Sequence, residues 1–217
     1  MRKFNSERFL LVEDVDAAVD YYNKLAGTAG AQCNYFPGIC ELLKKLHERG
    51  VRNFITSAVE QSVLDDWARS AQAASVVPYL TEILGNRGNG FAKGRSHFEY
   101  LHLHYHVNKI IYVADAVAEI ATGVQLSREL SITPIGFAHH ITAAQVQHAL
   151  QLVIDANKSL ADSKPFSPLE IIDGKLELPN QEALMELLKT AGASEVVGGN
   201  ADNLVARLTS RMREVLE

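Results

Sequence analysis

Four places in the chain set reactive side chains just beyond short apolar or glycine-rich stretches. Asp14-Val15-Asp16 follows Phe9–Glu13, Thr56-Ser57 follows Val51–Ile55, and Lys93 ends the glycine-rich Asn86–Gly94. Asp115 follows Ile110–Val113, with Glu119 four residues on. Carboxylates, a hydroxyl and one lysine suit Mg2+-assisted phosphoryl transfer, because clustered carboxylates take a hard cation while lysine and hydroxyl hold phosphoryl oxygens. Two carboxylates one residue apart in extended backbone point to the same side. Asp14 could therefore attack phosphorus while Asp16 handles the leaving-group proton.

Such a set works only if the elements that carry it end in one place. Strand-like and helix-like segments alternate from near the N-terminus to about residue 155, which predicts βαβ units and a mainly parallel sheet. Ile39–Arg49 carries a helical stripe of Ile39, Leu42, Leu43 and Leu46 after the turn Tyr35-Phe36-Pro37-Gly38, and stops at Gly50. Val51–Thr56 reads as a strand, Ser57–Ala73 as a helix, Tyr79–Leu84 as a strand and Asn86–Gly94 as a loop. Arg95–His106 returns to helical spacing, and Lys109–Val113 is an apolar run of the kind buried on both faces of a parallel sheet. A helix through Ile120, Val124, Leu126 and Leu130, a strand Thr133–Ala138, a helix from about Ala143 and the stretch Leu152–Asp155 complete the order. In a doubly wound sheet ligands bind outside the carboxyl ends of the strands, so those exits are where chemistry is expected.

From Ser159 the texture changes. Ser163-Lys164-Pro165-Phe166-Ser167-Pro168 reads as a linker, and Asp173-Gly174 between Ile171-Ile172 and Lys175-Leu176 signals a tight hairpin. Helical stretches Gln181–Ala191 and Ala201–Val215 follow. The expectation is an α/β, Rossmann-like core over residues 1–160 and a small α+β appendage, a hairpin plus two helices, over 161–217.

Composition narrows the function classes. With 47% hydrophobic and 22% charged residues over 217 positions, the chain can bury a real core. The formal net charge of −5 offers no basic face for a phosphate backbone, so no nucleic-acid partner is expected. No apolar stretch approaches the ~20 residues that span a bilayer, and no signal-peptide core follows Met1-Arg2-Lys3-Phe4-Asn5. The expectation is a cytoplasmic protein with no membrane partner. Cys33 and Cys40 fit no metal or redox spacing and read as reduced thiols.

With those residues in view, the chain from about Phe9 to Leu160 resembles the haloacid dehalogenase-like (HAD-like) superfamily, most of whose members are phosphatases working through an aspartyl-phosphate. The motifs are Asp14-Val15-Asp16, Tyr35–Leu43 before Phe54-Ile55-Thr56-Ser57, Lys93-Gly94 before His97-Phe98, and Val113-Ala114-Asp115-Ala116-Val117-Ala118-Glu119. The resemblance implies Asp14 as nucleophile, Asp16 as general acid/base, Thr56 as phosphate-binding hydroxyl and Lys93 as charge neutraliser. It implies Mg2+ as cofactor, held by Asp14, Asp16 and Asp115, with Glu119 as a second acidic support. About 20 residues separate Asp16 from Pro37, and the Thr56-to-Lys93 interval is also short, so in family terms neither place holds a large cap. The substrate implied is a small phosphorylated molecule, and a second subunit forming a homo-oligomer could cover the site.

Other readings of the same residues stay open. Leu11, Val15, Ala18, Tyr22 and Leu25 also fall on one helical stripe, which would make Asp14 and Asp16 solvated helix residues. Thr56 could satisfy a backbone group at a strand end, Lys93 could be a solvated loop lysine, and Asp115 could cap the next helix. Ala17-Ala18 stands where the family usually has Gly-Thr, Ala114 where it has glycine, and Glu119 where aspartate is commoner. An inactive HAD-like domain with a binding or assembly role is therefore the alternative. His102, His104 and His106 sit at helical spacing, where residues two apart do not converge on one ion. His139-His140 follow strand Thr133–Ala138 and lie nearer the expected site edge.

Overall fold

A computed structural model describes residues 35–139, 171–172, 175–176 and 181–216. In chain order the elements are α1 (Ile39–Glu48), β1 (Phe54–Glu60), α2 (Gln61–Ala68), β2 (Glu82–Asn86), α3 (Arg95–Tyr105), β3 (Ile110–Ala114), α4 (Val117–Leu130) and β4 (Ile132–His139). There follow β5 (Ile171–Ile172), β6 (Lys175–Leu176), α5 (Gln181–Thr190), β7 (Glu195–Gly199) and α6 (Ala201–Leu216). Phe9–Glu13, Asp14, Asp16, Cys33, the linker Ser163–Pro168 and the segments expected from Ala143 to Asp155 lie outside the described residues.

The chain divides into two compact units, one of Met1–Gln32 with Thr142–Glu177 and one of Cys33–Ile141 with Leu178–Glu217. In the first, β5 pairs antiparallel with β6, Ile171 opposite Leu176 and Ile172 opposite Lys175, the pairing expected on either side of Asp173-Gly174. The second is mixed α/β with two parallel sheets, β1-β2 and β3-β4-β7. An appendage beginning at residue 161 does not describe its C-terminal part. Gln181–Leu216 belongs to the same unit as the strands, and β7 extends their sheet, with Ile135 beside Glu195 and Ala138 beside Gly198. The short run Glu195-Val196-Val197 ends in two glycines and so gives little strand signal, yet Ser194 N–H donates to the Pro134 carbonyl and starts the ladder.

Alternation along β3 and β4 divides the core in two. Ile110, Tyr112, Ala114, Ile132 and Ala138 face a cluster with Phe98 and Leu101 of α3, Ile120 and Leu126 of α4, and Leu188 of α5. Ile111, Val113, Ile135 and Phe137 face Leu42 and Leu46 of α1 and Leu204, Val205 and Leu208 of α6. Helices thus cover both faces of a parallel sheet, the arrangement its buried strands require. Among the described residues no helix is long and apolar enough to cross a membrane.

The boundaries near the first sheet differ from the sequence expectation for identifiable reasons. Val51–Asn53 is not strand, because Gly50 (φ 77°) closes α1 with a Schellman turn in which Val51 N–H donates to Leu46 O and Gly50 N–H to His47 O. Asn53 is buried, and its amide donates to the carbonyls of Leu43 and Tyr79, so β1 begins only at Phe54. Val77–Tyr79 forms a 3-10 turn opened by Pro78, which delays β2 to Glu82. Extended backbone runs on to Glu60, so α2 is shorter than the helix expected over Ser57–Ala73.

Candidate functional site

Thr56 lies in β1, Lys93 in the loop before α3, Asp115 at the exit of β3 and Glu119 in the first turn of α4. The β1-β2 register is regular through Thr56 opposite Leu84 and shifts between Thr56 and Glu60. There the Gln61 side chain does what the ladder no longer does: its Oε1 accepts from Gly85 N–H at 2.8 Å and its Nε2 donates to Ile83 O at 3.0 Å. Ser57 Oγ accepts from Val59 N–H at 3.2 Å, within the stretch where the register shifts.

Lys93 is carried by a tight turn. Asn89 (φ 51°) and Gly90 (φ 83°) occupy the left-handed region between Gly88 and Phe91, and Phe91 N–H donates to Gly88 O at 2.9 Å. Asn-Gly is the pair that tolerates two positive φ values in succession. The turn is pinned from below by Phe91, whose ring lies 4.8 Å from the fully buried ring of His97 and 4.8 Å under the Arg87 guanidinium. His97 Nε2 lies 3.1 Å from Gly85 O, and no hydrogen-bond partner reaches its Nδ1.

The cluster itself is a run of hydrogen bonds. Lys93 Nζ lies 2.6 Å from Glu119 Oε1, both side chains about three-quarters buried. Tyr112 Oη donates to Glu119 Oε2 at 3.1 Å. Burial, first, and then the charge of Glu119 push the Tyr112 phenol well above its ordinary pKa, so it stays a neutral donor. At the exit of β3, Asp115 Oδ2 lies 3.4 Å from Nε2 of His139, the last residue of β4. The His139 hydrogen bond, chiefly, and more distantly the Lys93 charge hold the Asp115 carboxyl below its usual pKa.

Lys93 and Tyr112 therefore meet at Glu119, and Asp115 stands at the end of the strand that carries Tyr112. Glu119 has both oxygens engaged, one by Lys93 and one by Tyr112, so it serves Lys93 as counter-ion rather than offering a free carboxylate to a cation. Among the described residues no three His, Cys, Asp or Glu side chains converge as metal ligands. Among the described carboxylates of this cluster, Asp115 has the fit for Mg2+: a carboxylate oxygen donor, 57% exposed and biased toward its ionised form.

One member of the cluster escapes sequence reasoning. Tyr112 sits in the middle of an apolar strand run, and its hydroxyl has meaning only when Glu119 is brought to it. His139 carried a weak signal, as a histidine at a strand exit. His104 stacks on Tyr100 at 4.9 Å, and His102 Nδ1 meets Val107 O at 3.0 Å, both away from this cluster. In comparison with known proteins, the chain matches no protein-family model and no curated protein.

Proposed function

We propose that the chain is a Mg2+-dependent phosphomonoester hydrolase of the HAD-like kind, with a Rossmann-like doubly wound core, acting on a small phosphorylated substrate through an aspartyl-phosphate. The observation that carries the reading is the meeting of Lys93 and Tyr112 at Glu119, with Asp115 at the end of the strand that carries Tyr112. Stretches far apart in sequence thus contribute a hydroxyl, an ammonium and carboxylates, the groups that phosphoryl transfer requires.

In this reading an Asp14 oxygen attacks phosphorus, and the ester P–O bond breaks as Asp16 gives its proton to the leaving oxygen. Asp16, now a carboxylate, takes a proton from the water that attacks the phosphoryl group. The bond from Asp14 to phosphorus breaks, inorganic phosphate leaves, and Asp16 holds the proton again. Lys93 balances the charge on the phosphoryl oxygens and Thr56 hydrogen-bonds one of them. Asp14, Asp16 and Asp115 would hold Mg2+, which when bound supplies further neutralisation of the phosphoryl charge. Glu119 acts on Lys93 and not on the cation.

The test is a rapid acid quench during turnover of an aryl phosphate with Mg2+, followed by peptide mass spectrometry. Phosphate on the peptide containing Asp14 in the wild type, absent in Asp14→Asn, is expected. Turnover without an acyl phosphate at Asp14 overturns the mechanism. The second reading, a domain without turnover that serves in binding or assembly, draws on the Lys93–Glu119 pair, which leaves less positive charge for a phosphoryl group.

A further inference from the structure

Resting on that phosphatase reading, we propose that His97 is a positioning residue for Lys93: neutral, it latches down the loop that presents the ammonium, and on protonation it lets that loop go. His97 stands in the first turn of α3, and its Nε2 reaches back to Gly85 O in β2 at 3.1 Å, closing the base of the loop of residues 87–94. Phe91 of that loop lies against the same ring, centroids 4.8 Å apart, with the Arg87 guanidinium 4.8 Å from the Phe91 centroid and Tyr100 edge-on at 5.4 Å. Two residues further on, Lys93 meets Glu119 at 2.6 Å. Lys93 is thus delivered by a turn whose apolar anchor rests on His97.

The closed loop suits only the neutral ring. His97 is fully buried, and among the described residues nothing bonds its Nδ1. With its proton on Nε2 the neutral imidazole donates to Gly85 O, whereas the imidazolium has a second N–H without an acceptor and a charge without a counter-ion. Arg87 and Lys93 of the loop face the ring and repel a positive charge, and Glu82 of β2 attracts it. The Glu82 oxygens are already taken, by Arg87 at 2.7 Å, Tyr105 at 2.7 Å and Tyr100 at 3.4 Å. The nearest relief is local: moving Phe91 off the ring admits water to Nδ1 and costs the Phe91 contacts and the Lys93–Glu119 pair, while β2 and α3 stay in place. The tip of the turn does not resist, since among the described residues no atom lies within 4 Å of a Cβ built on Gly88 or Gly90. Opening returns His97 to an ordinary pKa near 6.5, so protons favour the open loop and the closed fraction falls as pH drops below about 6.5.

The experiment is amide hydrogen exchange of the full chain beside His97→Gln at pH 7.5 and 5.5, each rate corrected for the intrinsic pH dependence of exchange. Phe91 N–H, bonded to Gly88 O, and Ala92 N–H, bonded to Ser96 Oγ, report the loop. Both are expected to exchange faster than the amides of β3, and their protection in the wild type relative to His97→Gln to fall by up to about tenfold between the two pH values. The second readout is the ratio of wild-type to His97→Gln kcat/KM for an aryl phosphate, which cancels the ionisation of the ester itself. That ratio is expected to fall between about twofold and about tenfold over the same interval. If circular dichroism shows that His97→Gln does not fold, Phe91→Ala replaces it as the pH-insensitive reference, since without that ring His97 meets water in either loop position. Loop amides that exchange only as fast as β3, or protection with the same pH dependence in both proteins, overturn the latch. A loop that opens in acid while the activity ratio stays level overturns the claim that His97 positions Lys93. Acid opening in a chain whose wild type hydrolyses no phosphate ester upholds the latch and overturns the phosphatase reading.

Discussion

His97 should make the protein acid-sensitive in a way one substitution can remove. The ring is fully buried, with Nε2 on the Gly85 carbonyl and Nδ1 without a partner, so protonation puts an uncompensated charge inside the fold. Its pKa is lowered, first by burial and also by the Arg87 and Lys93 charges, while Gly85 O and Glu82 pull the other way. A histidine with a depressed native pKa binds fewer protons folded than unfolded. Its stability contribution is therefore complete above the unfolded value near 6.5 and falls as pH drops toward the native pKa. The slope cannot exceed about 1.4 kcal/mol per pH unit for one proton and reaches that only below the unfolded value near 6.5, so between pH 7.5 and 5.5 the loss is at most about 1.4 kcal/mol. His97→Gln keeps an amide donor for Gly85 O but has no proton to gain. Urea unfolding of both proteins at intervals from pH 7.5 to 5.5 should give curves that diverge below about pH 6.5, with the wild type falling faster. All carboxylates and the other histidines are common to both, so parallel curves would refute the assignment of His97 as buried and neutral.

Other consequences follow from particular contacts. Gly136→Ala would bring a Cβ to 3.0 Å from Leu188 Cβ and 3.2 Å from Val196 Cγ2, and should destabilise by about 1–3 kcal/mol in chemical denaturation. Gln61→Ala leaves Gly85 N–H and Ile83 O without their side-chain partner and should cost about 1–3 kcal/mol, with amide exchange accelerated at Gly85. Lys93→Met should lower kcat/KM for a phosphate ester by about 10²–10³ while leaving the far-UV spectrum unchanged, as measured by steady-state hydrolysis.

Much of the fold was legible because its periodicity is strong. The stripes of α1 and α3 and the apolar run of β3 match the expected segments closely, α1 ending at Glu48 and α3 at Tyr105. Errors arose where side chains rather than periodicity set the boundary. Asn53 diverts Val51–Asn53 from the strand by binding two carbonyls, and Gln61 lets extended backbone persist past Thr56 by standing in for a ladder partner. Strand β7 was missed because two of its five residues are glycine and its pairing partner lies some 60 residues upstream. At the site, reading strand exits singled out Lys93 and Glu119, which the structure pairs, and Asp115, which stands just past β3. The division of labour between the acids was not readable: Glu119 is committed to Lys93 only because Tyr112 and the Asn89-Gly90 turn deliver their side chains to it.

The most direct measurement is steady-state hydrolysis of an aryl phosphate by the purified full chain with Mg2+ and with excess chelator, beside Asp14→Asn and Asp115→Asn. The phosphatase reading predicts turnover that requires the cation, disappears in Asp14→Asn and needs far more Mg2+ in Asp115→Asn. Hydrolysis indifferent to Mg2+ and unaltered by both substitutions, in proteins that fold normally, would contradict it.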